Sequence, residues 1–235
     1  MNIRIKFRKY GPMKFISHLD VMRYFQKAMR RAEIPICFSE GFSPHMIMSF
    51  ASPLSVGLTS DAEYMDIRIK EALPSKEAVA RLNQTMAEGM EVVSFRALPE
   101  NTKNAMSIVA AADYEIRFRE GTEPDKGWEE QLLEFLKSPS ICLVKKTKKG
   151  EQEVDIRPWI YACNVSQGVI TLQAAAGSVH NVKPELLLQA FADQTGISLA
   201  PYALMIHRKE LYADQGAEGR RHLIPLEELG EDIGR

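Results

Sequence analysis

Ile3, Ile5 and Phe7 alternate with Arg4, Lys6 and Arg8 at the start of the chain. A period of two predicts a half-buried strand with one apolar and one cationic face. The period then changes. Met22, Phe25 and Met29 fall on one side of a helical wheel, with Val21, Ala28 and Ala32 beside them, which predicts a helix over residues 21–32. Ser17 is placed as its N-cap, with Asp20 at the third helical position in a capping-box arrangement, and the helix must stop before Pro35. Strands are expected at 36–39 and 46–51, interrupted by the Gly41/Pro44 loop, and again at 63–70, where polar and apolar residues alternate. Residues 76–88 read as a helix with Val79, Leu82 and Met86 on one side, and 92–98 as a closing strand.

The same alternation of periods recurs further along. Strand is expected at 114–119, helix at 128–137, strand at 141–146 and 169–174, helix at 184–194 with Pro184 in its first turn, and strand at 199–207. Residues 151–162, with Asp155-Ile-Arg-Pro-Trp159, interrupt the repeat as an inserted piece, in which Asp155 and Arg157 are expected to form a solvated surface ion pair. Each run has the order β-α-β-β-α-β, a split β-α-β arrangement. The expected fold class is therefore α+β: two tandem ferredoxin-like units with antiparallel sheets, at residues 1–100 and 112–212. A linker is expected at 100–111. The Gly- and charge-rich residues 213–235 read as a flexible C-terminal tail with a short helical patch at 225–229.

Composition narrows the class. The 235 residues are 45% hydrophobic and 26% charged, ordinary globular values. No apolar run reaches the roughly 18–20 residues of a membrane span, and the N-terminus lacks the apolar core of a signal peptide, so a cytoplasmic protein with no membrane partner is expected. Cys37, Cys142 and Cys163 are odd in number and far apart. They suggest neither a disulfide framework nor a zinc site, nor the close spacing of an iron–sulfur cluster. No metal and no cofactor of its own is expected, and a redox cofactor would have to come from another chain.

Charge changes the picture most. Net charge is −1, yet residues 1–50 carry nine Lys/Arg against three Asp/Glu. On the first helix Arg23, Lys27, Arg30 and Arg31 lie opposite the apolar stripe, with only Asp20 acidic among them. Like charges at this spacing cost a few tenths of a kcal/mol each, which points to an anionic ligand. The competing account is a solvated face whose cations suit the helix C-terminus. Lys14, Arg4, Lys6 and Arg8 are expected to extend this surface, and residues 145–149 add a second lysine cluster at a hairpin tip. His18, beside Ser17 and Asp20, is a candidate acid/base or a capping residue, and His45 closes the Gly41, Phe42, Pro44 loop.

Phe15-Ile-Ser-His-Leu-Asp20, Arg23, Arg30-Arg-Ala32, Pro35, the Ser39-x-Gly-Phe-x-Pro-His45 loop, Ser49-Phe-Ala51, Pro53-Leu54 and Gly57 resemble a radical SAM-associated family of unknown function. The likeness continues through Asp155-Ile-Arg-Pro158 to about residue 210. In that family the domain occurs alone or C-terminal to a cobalamin-binding radical SAM protein. Met46 follows His45 where that family has a Pro-Lys pair, so no lysine role is expected in the loop. The resemblance implies a radical SAM partner enzyme acting on RNA or a ribosomal component. The expectation is a non-catalytic accessory module: Arg23, Lys27, Arg30, Arg31 and Lys14 hold phosphates, while Ser17, His18, Asp20, Gly41, Phe42, Pro44 and His45 recognise substrate or partner. One alternative is a metal-independent endoribonuclease resembling the CRISPR RNA-processing enzymes, using His18, Asp20 and His45. The glycine-rich loop of those enzymes is poorly matched by residues 216–221. The other alternative is a module that binds protein only.

Overall fold

The computed structural model describes residues 1–147, 150–217 and 219–234. It divides into two compact units, Met1–Ala110 with Arg208–Arg235, and Ala111–His207. The fold is α+β, with antiparallel strand pairing and five α-helices among the described residues. No helix among them is long and apolar enough to cross a membrane.

The first unit is built on β1 (Asn2–Lys9), α1 (His18–Arg31), β2 (Met48–Phe50), β3 (Thr59–Arg68), α2 (Ser75–Asn83) and β4 (Met90–Ala97). Its strand order is β4-β1-β3, and β2 pairs with β3. Ile3, Ile5 and Phe7 form the buried face of β1, as their alternation requires, and meet Val21, Phe25 and Met29 of α1 and Ala78 and Leu82 of α2. The Phe7 and Phe25 rings lie 4.6 Å apart. Burying each such side chain contributes about 1.5–3 kcal/mol, so the apolar stripe of α1 is what seats that helix on the sheet. The second predicted strand is mostly irregular: residues 36–47 make only the isolated bridges Ile36↔Ile69 and Phe38↔Met46 before β2 begins.

Two expectations change in this unit. The linker region contains a short helix, α3 (Ala105–Ile108), and β5 (Val109–Phe118) begins directly after it. Residues 208–235, expected in part as a flexible tail, belong to the first unit. A 3₁₀ turn at Leu226–Leu229 buries Leu226 completely, and Ser75 N–H and Ile233 C=O, then Ile233 N–H and Ser75 Oγ, form reciprocal hydrogen bonds of 3.1 and 2.8 Å. Composition suggested a solvated tail because its apolar residues are sparse, but those few are the ones that pack.

The second unit comprises α4 (Trp128–Phe135), β6 (Cys142–Thr147), β7 (Gly150–Asp155), β8 (Ile160–Ser166), β9 (Val169–Ala175) and α5 (Pro184–Thr195) with most of β5; β10 (Leu204–Asp214) carries the chain back into the first unit, where β11 (Leu223–Pro225) and β12 (Glu231–Asp232) follow. Here the order is β5-β9-β8. The strand expected at 141–146 exists, but it pairs only with β7 in a separate ribbon. β8, expected partly as insertion, takes the place beside β9. Gly150, whose φ of +119° suits glycine, pairs with Thr147 at the end of β6, and strands so close in sequence meet at lower entropic cost than distant ones. Asp155 pins the ribbon by accepting the backbone N–H of Ile141 and of Arg157, both at 2.9 Å. These two backbone bonds are the main cause that holds its carboxyl below the usual range, and Ser140 and the charge of Arg157 add to them. Lys148 and Lys149, in the second expected lysine cluster, lie outside the described residues.

Candidate nucleic-acid interface

The site grows from the start of α1. Ser17 is the N-cap: its Oγ accepts the Asp20 N–H at 3.3 Å and donates to Asp20 Oδ2 at 2.6 Å. The Ser17 hydrogen bond holds the exposed Asp20 carboxyl below its ordinary range, helped by Arg23, whose Nη1 is 3.6 Å from Oδ1. Ser17 and Asp20 are thus engaged with each other at the cap. His18 turns inward, its ring edge-on to Phe50 at 5.3 Å between centroids. It lines a small cavity with Lys9 and Glu63.

Arg23, Lys27, Arg30 and Arg31 are all exposed along α1. Among the described residues only Arg23 meets a carboxylate, and only the Asp20 of its own helix. The strand cations behave in the opposite way. Arg4 donates from Nε and Nη2 to both Asp66 oxygens at 2.8 and 2.9 Å. Lys6 lies 2.7 Å from Glu210 and 2.6 Å from Glu227. Arg8 faces Glu91 at 3.1 Å and Asp61 at 3.7 Å. The expectation that Arg4, Lys6 and Arg8 extend the cationic surface of α1 therefore fails, because carboxylates from elsewhere in the first unit neutralise them. Burial opposes the Lys6 ammonium, but the bonds and charges of Glu210 and Glu227 outweigh it and raise its pKa. Tyr64, whose hydroxyl donates to Glu210 at 2.6 Å, is driven far above the usual phenol range by burial and by that carboxylate.

Lys14 belongs to the 3₁₀ turn Gly11–Phe15 that precedes α1. Its Nζ sits 5.1 Å from the Phe15 ring centre, and its carbonyl accepts the Gly57 N–H at 2.8 Å. The 39–45 loop is pinned on itself: Ser39 N–H donates to His45 O at 2.8 Å, His45 N–H to Ser39 Oγ at 3.1 Å, and Ser39 Oγ meets His45 Nδ1 at 2.8 Å. Gly41 adopts φ +107°, which favours glycine, and Phe42 and Pro44 stand exposed. His45 lines a cavity of about 370 Å³ that also includes Asp66, Arg68 and Asn104. His18 and His45 thus border different cavities, and among the described residues no hydrogen bond or ion pair joins His18 to Asp20 or to His45.

Sequence reasoning missed two features. Lys9, Glu63 and Arg208 form a nearly buried charged group, of which Lys9 and Glu63 line the cavity of His18, with Arg208 Nη2 bonded to Glu63 and, at 2.7 Å, to Ser52 O. Arg208 is distant in sequence, so no local signal marks it. Phe15 and Leu19 carried no reading beyond the family resemblance, yet both are exposed; the place of Leu19 outside the Met22/Phe25/Met29 stripe was the available clue. Among the described residues, no three His, Cys, Asp or Glu side chains gather as metal ligands would.

Residues 2–184 match the family model DUF2344, described as an uncharacterized protein conserved in bacteria. The chain belongs to this family. The DUF2344 match takes in α1, the 39–45 loop and the Asp155 ribbon, while residues 208–235 of the first unit lie beyond it. A search of curated proteins gives no match.

Proposed function

We propose that this DUF2344 protein is a cytoplasmic, non-catalytic accessory module that binds RNA, or another phosphate-rich substrate, through α1 and works with a radical SAM partner enzyme. The partner rests on the family resemblance of residues 15–57. RNA binding rests on one observation: within a single unit the strand cations are each matched by carboxylates, whereas Lys27, Arg30 and Arg31 of α1 meet none among the described residues. Charge left uncompensated on one rigid face is the electrostatic footprint of a polyanion site. The strand order β4-β1-β3-β2 of the first unit supports reading it as a ferredoxin-like unit, and the antiparallel β5-β9-β8 sheet of the second supports the same reading there, with the β6–β7 ribbon as an insertion.

Four phosphate contacts give a slope of log K against log salt of about −2.8 to −3.6. Affinity for a structured RNA should then fall roughly 50- to 150-fold between about 50 and 200 mM salt. The double variant Arg23→Glu, Arg30→Glu should abolish binding at the higher salt. Affinity that ignores salt, or survives the charge reversal, refutes the proposal. Recovery of a radical SAM protein with the tagged chain from nuclease-treated lysate tests the partner.

A further inference from the structure

We infer that the RNA held by α1 is single-stranded, with an unpaired base stacked on Phe15. This rests on the RNA-binding reading above and specifies its substrate.

Of the seven phenylalanines of the first unit, Phe7, Phe25 and Phe95 are all but inaccessible, while Phe38 and Phe42 of the 36–47 segment are exposed as Phe15 is. Phe15 is 66% exposed and Leu19 56% exposed. Looseness does not explain this. The turn carrying Phe15 is tied by the Tyr10 N–H to Gly89 O at 2.9 Å, Met13 N–H to Tyr10 O at 3.1 Å and Gly57 N–H to Lys14 O at 2.8 Å. Met13 and Ile16, on either side of it, pack against the core. A rigid backbone therefore presents an aromatic ring to solvent two residues before the N-cap of the cationic helix.

The neighbours suit a nucleotide. Lys14 Nζ lies over one face of the ring, 5.1 Å from its centre, so a base stacks on the other face with a cation across the ring from it. Leu19 falls on the same side of α1 as Arg23 and Arg30 at 100° per residue, so the cationic face begins with an apolar contact. A duplex keeps its bases stacked inside and is read by shape and phosphates, whereas unpaired bases stack on aromatic side chains. Aromatic platforms combined with a basic track are how single strands are held. Phe15 and Leu19 have no role on a duplex and a direct one on a single strand.

The test is fluorescence anisotropy of the full chain with a 12-nucleotide oligouridylate and with an RNA duplex of equal phosphate count, at fixed salt. Oligouridylate should bind at least about tenfold tighter, and Phe15→Ala should weaken it by roughly 5- to 100-fold. Phe15→Tyr should restore it, with duplex affinity changing less than about twofold. The exposed side chain can be removed without unfolding, which circular dichroism checks. If the two RNAs bind equally and Phe15→Ala changes nothing, while Arg23→Glu, Arg30→Glu still abolishes binding, the inference falls and the RNA reading stands. If neither RNA binds, or binding ignores the charge reversal, both fall and the exposed aromatic passes to a protein partner.

Discussion

Glu63→Gln should be the most damaging isosteric change in the first unit. The Glu63 carboxylate pairs with Arg208, and Glu63, Arg208 and Lys9 are 6%, 2% and 2% exposed. Burial depresses the Lys9 pKa and the Arg208 charge adds to that, while Glu63 opposes both. The amide keeps an oxygen for hydrogen bonding but leaves two buried cations facing each other. Removing one partner of a buried pair costs about 3–5 kcal/mol, a large part of the roughly 5–15 kcal/mol by which such proteins are stable. At about 2–4 °C per kcal/mol for a chain of this size, Tm should drop by roughly 6–20 °C. Calorimetry and far-UV circular dichroism are the right assays, since both tryptophans, Trp128 and Trp159, lie in the second unit. The triple variant Lys9→Met, Glu63→Leu, Arg208→Met removes all three charges at similar volume and should recover most of the loss. A cost below about 1 kcal/mol for Glu63→Gln, or a triple variant no more stable than the single, would show that burial of charge is not what this group contributes.

Two further outcomes follow from the same unit. Burial pushes the Glu227 carboxyl up, but the hydrogen bond and charge of Lys6 outweigh it, so its folded pKa lies below the ordinary 4.5. The stabilisation is present above 4.5 and is lost as pH falls through the depressed folded value. Glu227→Gln should cost about 1 kcal/mol at neutral pH and make thermal melts less acid-sensitive; parallel losses in variant and wild type would contradict this. Gly89 has φ +94°, and an added Cβ would meet Tyr10 O at 2.5 Å and Met13 Cγ at 2.8 Å. Gly89→Ala should destabilise by about 1–3 kcal/mol and weaken oligouridylate binding by displacing the Phe15 turn. Unchanged melting and binding would show that the turn tolerates the shift.

How much was legible varies by element. Helix α1, its Ser17 cap and its two faces were readable because capping and amphipathicity depend on residues three and four apart. The β6–β7 ribbon was half readable: its strands had the right period, but period does not name a partner, and β8 took the expected place in the sheet. The packing of the expected tail, residues 213–235, was not readable because Leu226 and Glu227 are few among many polar neighbours, and their importance comes from the Arg4, Lys6 and Arg96 side chains they meet.

The candidate site divides the same way. Sequence alone determined that α1 is amphipathic and that its outer face carries four cations, since both follow from the helical repeat. It also made Arg4, Lys6 and Arg8 look equivalent to them, because charge is visible residue by residue and neutralisation is not. Asp66, Glu91, Glu210 and Glu227 reach the strand cations only once the first unit has folded, across separations of up to 221 residues. Tertiary structure therefore decided which positive charges are neutralised inside the protein and which stay exposed without a carboxylate from another element. It also turned His18 onto Phe50 and left Phe15 in solvent, because backbone bonds from Gly89 and Gly57 fix that turn.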